Sequence, residues 1–367
     1  MDALLEKELI MFDNVYAGRR VLVTGDSGFK GSFLALWLQQ LGADVCGISL
    51  PMPGELSHFK VLKERNWNHI DCDIRDRGKL AAAIRDFAPE VVFHLAAQPL
   101  VRLSYRESAA TFDTNVIGTL NLLESLRQTP EVRAAVIVTS DKCYENREDG
   151  IPCVESDPMG GFDPYSASKG CAELVVNCYR NSFFADGKCL IASARAGNVI
   201  GGGDWADDRL IPDLMRGAAS GAEAVIRHPE AVRPWQHVFE PLSGYLLLGA
   251  RLFQGRSEFA GGWNFGPLDD ESLPVGEVVE IMQRFWEKLK YRIEADPEAL
   301  HEAKLLRLNC RKSRDVLAWH GVWNIETALE MTAKWYAAFY EEQKVLSLPM
   351  LEEYICAAHE KGLIWTK

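Results

Sequence analysis

Hydrophobic residues in this chain fall into short apolar runs that alternate with longer helical stripes. Three β-formers at 21–23 lead into a glycine-rich turn, and an apolar helix follows with Phe33, Trp37 and Leu41 on one face. Further apolar runs, at 44–49, 91–97 and 134–138, are typical of buried strands. Strands that alternate with helices build parallel sheets covered on both faces. The pattern predicts an α/β fold with a Rossmann-type, doubly wound parallel sheet.

The length of 367 residues suits a large α/β domain followed by a smaller one. We expect a first domain over 1–195, with a helix at 165–183. A smaller C-terminal α/β domain over 196–367 should send some segments back to the first.

Helical periodicity is clearest in three later stretches. Residues 107–128 carry an apolar stripe interrupted by Asn115, for which a buried hydrogen-bonding role or a solvent-facing position is open. Residues 325–340 read as a long amphipathic helix. The stretch 341–367 reads as helical, acidic and peripheral.

Composition and net charge limit the kinds of partner that we expect this chain to bind. A net charge of −12 disfavours nucleic-acid binding. The N-terminus lacks the basic and apolar regions of a signal peptide, and no apolar run approaches a membrane span. The nine cysteines include no Cys-x-x-Cys pair, so we expect free thiols in a reducing cytoplasm and no metal site.

The glycine-rich turn carries the first candidate chemistry. Gly25 allows a sharp turn, Gly28 lets the backbone approach a pyrophosphate, and Gly31 lets the helix pack closely on the strand. The N–H groups at the helix start, at Phe29 and Lys30, then face an anion. The turn therefore predicts a dinucleotide site, although the spacing is Gly-x-x-Gly-x-x-Gly and an ordinary βα turn is the alternative.

Other strand ends bear on the same site. The second strand ends at Ser49, where many NAD sites have an acid, so this residue does not decide between NAD and NADP. Asp73 is either a cofactor contact, together with Ile74, or a helix N-cap. The small residues after the strand at 91–94 leave room for a flat ligand, and we expect His94 to be a core residue.

A second candidate site follows the strand at 134–138. Ser140, Asp141 and Lys142 stand at its end, and Tyr165 and Lys169 follow four residues apart, on one face of a helix. A nearby ammonium lowers the pKa of a tyrosine, which makes it a usable base. We expect Ser140, Tyr165 and Lys169 to be catalytic.

These motifs resemble those of the extended short-chain dehydrogenase/reductase superfamily and, within it, the sugar-nucleotide 4,6-dehydratases, most closely the CDP-glucose branch. The resemblance covers about residues 18–340 and rests on four stretches: Thr24-Gly25-Asp26-Ser27-Gly28-Phe29-Lys30-Gly31, Ala96-Ala97-Gln98-Pro99-Leu100-Val101-Arg102-Leu103-Ser104-Tyr105, Thr139-Ser140-Asp141-Lys142-Cys143-Tyr144 and Arg233-Pro234-Trp235-Gln236-His237-Val238.

The resemblance implies an internal redox cycle that uses NAD. Tyr165 would take the proton of the sugar's 4-hydroxyl while C4 is oxidised, Ser140 would hydrogen-bond the same oxygen, and Lys169 would hold the cofactor ribose. Elimination of water across C5 and C6 then needs an acid and a base. Asp141 and Lys142 stand where the dTDP-glucose branch has Asp-Glu, so the base that removes the C5 proton is left open. Lys142 is either that base or only a charge partner of Asp141.

The resemblance also implies binding residues. Asp73, Ile74, Leu95, Ala96 and Ala97 would contact the cofactor. Asn198, Arg209, Arg233 and Asn264 would face the nucleotide diphosphate. The helices around Asn115 and after Tyr165 would form a four-helix homodimer interface.

Three alternatives remain at this stage. The chain could act on a dTDP- or GDP-sugar, or be a sugar-nucleotide 4-epimerase, which needs no acid and base beside Ser140. A non-catalytic dinucleotide sensor on the same scaffold is the third, and retention of Ser140, Tyr165 and Lys169 argues against it.

Overall fold

The computed structural model of the protein describes residues 10–51, 54–146, 149–267, 272–294 and 306–367. The strands are β1 Arg20–Thr24, β2 Asp44–Ser49, β3 Asn68–Asp71, β4 Val91–His94, β5 Ala134–Val138, β6 Leu190–Ala196, β7 Val199–Ile200, β8 Ala224–Ile226, β9 Val232–Pro234, β10 Gln236–His237, β11 Gly262–Phe265, β12 Ser272–Pro274 and β13 Tyr291–Ile293.

The helices alternate with these strands through the first half of the chain. They are α1 Phe29–Gln40, α2 His58–Val61, α3 Arg77–Phe87, α4 Val101–Arg106, α5 Ser108–Phe112, α6 Gly118–Arg127, α7 Pro164–Ser182, α8 Leu210–Ser220, α9 Phe239–Phe253, α10 Val275–Phe285, α11 Arg311–Asp315, α12 Ile325–Glu342 and α13 Ser347–Glu360. Short 3₁₀ turns cover Phe12–Asn14, Asp141–Cys143, Ser257–Phe259 and Ile364–Thr366, and a π-helical turn covers Asp113–Ile117.

One seven-stranded sheet organises the molecule, in the order β11-β6-β5-β4-β1-β2-β3, and all its pairs are parallel. Strand β1 lies between β2 and β4, with Thr24 opposite Ile48 on one side and His94 on the other. The strand order reverses at this point, which is where open α/β sheets bind ligands. The predicted doubly wound fold is confirmed.

Both faces of the sheet are covered, because alternate residues of each strand point to opposite sides. Val21 and Val23 join a large core with α1, α9, α12 and α13, whereas Leu22 joins a second core with α3, α6 and α7. All three side chains are fully buried.

The smaller part of the molecule is built from short two-stranded pairings, β10 with β7, β12 with β9 and β13 with β8. Strand β11 nevertheless joins the large sheet beside β6. The expected division at residue 195 stays a prediction. Among the described residues, none of the helices is long and apolar enough to cross a membrane.

The C-terminal segment is helical, but the expectation that it is peripheral is wrong. Met350, Leu351 and Tyr354 of α13 are buried, and the Trp365 ring stacks on Phe12 with 5.2 Å between ring centroids. The exposed Glu352 and Glu353 make the helix acidic on its outer side, while the apolar residues on its other side are buried and α13 packs on α1. The segment therefore completes the core behind the glycine-rich turn.

Candidate active site

A cavity of about 860 Å³ opens at the carboxyl ends of the central strands. It is the size of a pocket for a drug-sized or larger ligand. Nine of the predicted site residues line it: Phe29, Lys30, Ser140, Asp141, Lys142, Tyr165, Asn198, Arg209 and Arg233. The fold therefore brings the glycine turn, the end of β5 and the loops after β6 to one place.

The end of β5 presents the predicted acid–base group. Ser140 caps the 3₁₀ turn Asp141–Cys143, and its Oγ accepts a hydrogen bond from Lys142 N at 3.2 Å. The same hydroxyl donates to Asp141 Oδ1 at 2.9 Å. Burial raises the pKa of Asp141, although the nearby Lys142 charge opposes this. A carboxyl group with a raised pKa is suited to act as a general acid.

Helix α7 holds Tyr165 and Lys169 against this turn. Asp163 caps the helix by accepting from Ser166 N at 2.9 Å, and Pro164 fits the first turn because it needs no hydrogen-bond acceptor there. The Tyr165 hydroxyl is hydrogen-bonded to Ser140, as the pattern predicts for a catalytic pair. Lys169 lies beneath, buried, with Nζ donating to Val138 O at 3.4 Å.

The expected lowering of the Tyr165 pKa is not found. Burial raises its pKa to about 12, and the hydrogen bond with Ser140 opposes that shift only in part. The charge of Arg209 also lowers the Tyr165 pKa, but it does not overcome the loss of water around the phenol.

Lys30 lines the cavity, and the buried Lys169 lies close enough for the two amines to influence each other. Burial lowers the pKa of both amines to about 8, and for Lys169 the charge of Lys30 adds to the effect. No hydrogen-bond or ion-pair partner of Lys30 occurs within the described ranges, although it sits in the first turn of α1 where a cation is unfavourable. A bound anion would relieve both costs.

Asn115 is buried and bonded, so the first of its two interpretations is confirmed. Its Oδ1 accepts from Gln98 N at 2.8 Å, and its Nδ2 donates to Ser168 Oγ at 2.9 Å. It lies in the π-helical turn that splits the predicted helix of 107–128 into α5 and α6. Such turns occur often at functional sites, and this one ties α7 to the loop after β4.

A buried ion pair behind the acid–base group is missing from the sequence predictions. Glu173 accepts from Arg195 Nη2 at 2.8 Å, Thr139 Oγ1 at 2.5 Å and Ser193 Oγ at 2.7 Å. Burial raises the pKa of the Glu173 carboxyl, but the Arg195 hydrogen bonds and charge outweigh it and leave the pKa below its usual value. The spacing of Glu173, four residues after Lys169, could have revealed it as a same-face neighbour.

The glycine-rich turn fits a dinucleotide. Gly25 has a φ of +78°, and a Cβ there would lie 2.7 Å from Ala96 N, while a Cβ on Gly31 would lie 2.0 Å from Gly25 O. The backbone of the turn can therefore pass close to the end of β4, and no side chain of these glycines covers the start of α1. Gly28 precedes α1 as its N-cap, so Phe29 and Lys30 open the helix.

The remaining predicted cofactor residues lie at neighbouring strand ends. Leu95, Ala96 and Ala97 follow β4, and Ala96 N donates to Thr24 Oγ1 at 3.3 Å. Ile74 is buried, and Asp73 forms an ion pair with Arg75 at 2.6 Å. The N-cap of α3 is Asp76, so the interpretation of Asp73 as that cap is wrong. His94 is a buried core residue, as expected, with Nδ1 2.6 Å from Thr24 Oγ1.

Three of the four predicted diphosphate residues reach the cavity, and one does not. Arg209 pairs with Asp204 at 2.9 Å, and not with the two acids directly before it. Asn264 is fully buried in β11, where Tyr144 Oη donates to its Oδ1 at 2.7 Å and its Nδ2 donates to Cys153 O at 3.0 Å. Its amide is used up by these bonds, so the structure replaces the predicted diphosphate contact with a structural role.

Other lining residues were not among the sequence predictions, because short helices, short strands and loops from separate parts of the chain place them. Arg102 of α4 forms an ion pair with Asp208 at 3.3 Å, joining two parts of the cavity wall. The segment 225–231, with Trp235 and Val275, lines the far end. No periodic pattern announces these positions. Among the described residues, no group of three His, Cys, Asp or Glu side chains could hold a metal ion.

Comparison with known proteins agrees with this geometry. The profile of the family described as GDP-mannose 4,6 dehydratase matches residues 22–332. A CDP-glucose 4,6-dehydratase from Salmonella typhimurium is 46% identical over 354 residues, covering 94% of this chain and 98% of that protein. The chain belongs to the sugar-nucleotide 4,6-dehydratase family.

More distant relatives share the fold of this dehydratase family. A probable dTDP-glucose 4,6-dehydratase from Sinorhizobium fredii is 26% identical, covering 86% of this chain and 92% of that protein. The structure of a dTDP-glucose 4,6-dehydratase from Streptomyces venezuelae, solved with NAD and TYD bound, is 25% identical with a TM-score of 0.74 and covers 89% of this chain and 100% of its own.

Proposed function

We propose that this protein is an NAD-dependent lyase that converts CDP-glucose to CDP-4-keto-6-deoxyglucose and water. The observation that carries the proposal is the position of Asp141 and Lys142. Both line the same cavity as Ser140 and Tyr165, on the turn that directly follows β5. A 4-epimerase would need the Ser140–Tyr165 pair alone, whereas elimination needs an acid and a base beside it.

NAD is the cofactor that this proposal requires, and the relative solved with NAD supports it. The glycine turn and the start of α1 would hold the pyrophosphate, with Lys30 adding a cation. NAD supplies the oxidant at C4 and later the reductant at C6, and in its oxidised form it brings a positive charge that favours ionised Tyr165.

The chain's own groups move the protons. Tyr165 receives the proton of the 4-hydroxyl, while Ser140, hydrogen-bonded to it, orients the same oxygen. Asp141, whose pKa burial raises, then gives its proton to the departing 6-hydroxyl. Lys142 lies beside it at the cavity wall, and we propose that it completes the acid and base pair that the elimination needs.

The cavity wall supports a nucleotide diphosphate sugar as the substrate. Asn198, Arg209 and Arg233 line the cavity, with the guanidinium groups suited to a diphosphate. CDP is preferred over dTDP because the relative with 46% identity acts on CDP-glucose, whereas the dTDP-glucose relative is 26% identical. Lys142 in place of the acid of the dTDP-glucose branch points the same way.

We also propose a homodimer that acts in the cytoplasm. Helices α6 and α7 pack side by side, and Ile117, just before α6, and Leu174 of α7 are exposed at 45% and 60%. A second copy would cover these apolar side chains. The cysteines are free thiols, which is consistent with a reducing compartment.

The test is incubation of the protein with CDP-glucose and NAD⁺ in D₂O, followed by NMR. We expect a 4-keto-6-deoxy sugar with solvent deuterium at C5. Parallel reactions with dTDP-glucose and GDP-mannose serve as controls for the nucleotide. Formation of an epimer without deuterium would overturn the dehydratase proposal, and faster turnover of either control sugar would overturn the choice of CDP.

A further inference from the structure

Asp26, in the glycine-rich turn, is a completely buried carboxylate that the proposed mechanism does not use. Its exposed fraction is 0%. It accepts hydrogen bonds from Ser49 Oγ at 2.9 Å and Trp67 Nε1 at 3.0 Å, and it forms an ion pair with His69 Nδ1 at 2.8 Å. Burying a charged group is costly unless it is satisfied in this way, so the surroundings are built to hold a carboxylate.

The neighbouring strand makes room for this carboxylate. A Cβ on Gly47, in the middle of β2, would lie 1.9 Å from Asp26 Oδ2. The side chain therefore crosses from the turn after β1 onto β2, and its charge comes to lie beside the carboxyl end of that strand. Ser49, which ends β2, is its hydrogen-bond donor there.

That strand end is where dinucleotide-binding folds recognise the adenosine ribose. An acid about 20 residues after the glycine turn binds the 2′-hydroxyl of NAD, and an arginine nearby accommodates the 2′-phosphate of NADP. Ser49 occupies this position and carries no charge. Its hydroxyl is oriented by Asp26 and also accepts from Ser27 N at 3.3 Å.

We propose that Asp26, acting through Ser49, makes the protein select NAD over NADP. The negative charge that other sheets place on the last residue of β2 comes here from the turn after β1. The Ser49 hydroxyl remains small enough to meet a ribose hydroxyl, while the carboxylate beneath it repels a 2′-phosphate. This inference rests on the proposed use of NAD.

The other charged groups around Asp26 fit this role. His69 is its one ionisable hydrogen-bond partner in the described parts of the chain, and the imidazole also contacts Asp71, a second acid, at 3.2 Å. The Arg75 guanidinium is held by Asp73. Arg65 stacks on the Phe59 ring, with its guanidinium carbon 4.4 Å from the centroid. These cations already have partners, so a 2′-phosphate would meet mainly negative charge.

The experiment measures dissociation constants for NADH and NADPH by calorimetry, without sugar, so a wrong assignment of the sugar does not affect it. We expect wild-type protein to favour NADH, and Asp26→Asn, which keeps the shape, to reduce that preference about tenfold, mainly by tightening NADPH binding. Asp44→Asn is the matched control, because it removes an exposed carboxylate at the other end of β2, roughly 16 Å away.

A second variant covers the case in which Asp26→Asn fails to fold. His69→Gln keeps a donor for the carboxylate and removes the cation, so the preference for NADH should increase. A purely structural Asp26 would weaken both cofactors equally in Asp26→Asn and leave the ratio unchanged in His69→Gln. Either of these results, or a wild-type protein without preference, would overturn the proposal.

Discussion

Two buried carboxylates underlie the carboxyl edge of the sheet, and they are compensated differently. Glu173, behind the catalytic turn, is held by the guanidinium of Arg195, whose charge is permanent. Asp26, behind the cofactor turn, has a histidine and two neutral donors. The first arrangement cancels its charge and fixes the groups around it. The second leaves negative charge near the cofactor site. A similarly buried carboxylate therefore positions catalytic groups in one place and selects between cofactors in the other.

The largest effect that we expect is on catalysis, from a change at Tyr165. Removing its hydroxyl in Tyr165→Phe takes away the proton acceptor for C4 oxidation, so we expect kcat to fall about 10³-fold. Steady-state turnover of CDP-glucose measures it. The preference for NADH over NADPH should be unchanged in this variant, and an altered ratio of the two affinities would show that the two regions are not separate.

The Glu173–Arg195 pair is tested through stability. Arg195→Met leaves Glu173 buried without its counter-ion, which should lower the free energy of unfolding by about 3–5 kcal/mol. Urea unfolding measures the change. The double variant Glu173→Met/Arg195→Met removes both charges and should recover part of the loss. If the double variant lost twice as much unfolding free energy as Arg195→Met, the pairing of the two charges would not be the cause of the loss.

The Asp26–His69 pair should show a pH dependence that the first pair lacks. The hydrogen bond with Asp26 raises the pKa of His69 above its usual 6.5. Protonated His69 therefore stabilises the fold below about pH 6.5, and this contribution is lost as the pH rises through the raised pKa. The stability difference between wild type and His69→Gln, from thermal melts, should shrink with rising pH. A constant difference would mean that the imidazole stays neutral.

Regular elements made much of this site predictable. Ser140 ends a buried strand, and Tyr165 and Lys169 share a helix face, so periodicity alone places them near one another. The parallel sheet follows from the apolar runs at 44–49, 91–97 and 134–138 for the same reason. The surroundings of Asp26 were hidden because they depend on Gly47 in β2 and Trp67 just before β3, which come near it only after folding.

The sequence predictions that the structure contradicts also failed because they depend on contacts formed only in the folded chain. The resemblance implied that Asn264 faces the diphosphate, and the sequence does not show that Tyr144 and the Cys153 carbonyl engage its amide instead. The pKa of Tyr165 depends on how much water folding removes, which spacing to Lys169 cannot report. Residues 341–367 looked peripheral because the exposed acids masked a buried stripe.

The central claim is that C4 oxidation belongs to Tyr165 and Ser140, and elimination to Asp141. The most direct test mixes Asp141→Asn with CDP-glucose and NAD⁺ and follows the absorbance of reduced nicotinamide and the deoxysugar together. We expect reduced nicotinamide to build up while deoxysugar formation falls about 10²–10³-fold. Deoxysugar formation at the wild-type rate would contradict the claim, and so would a folded, substrate-binding variant that shows no reduced nicotinamide.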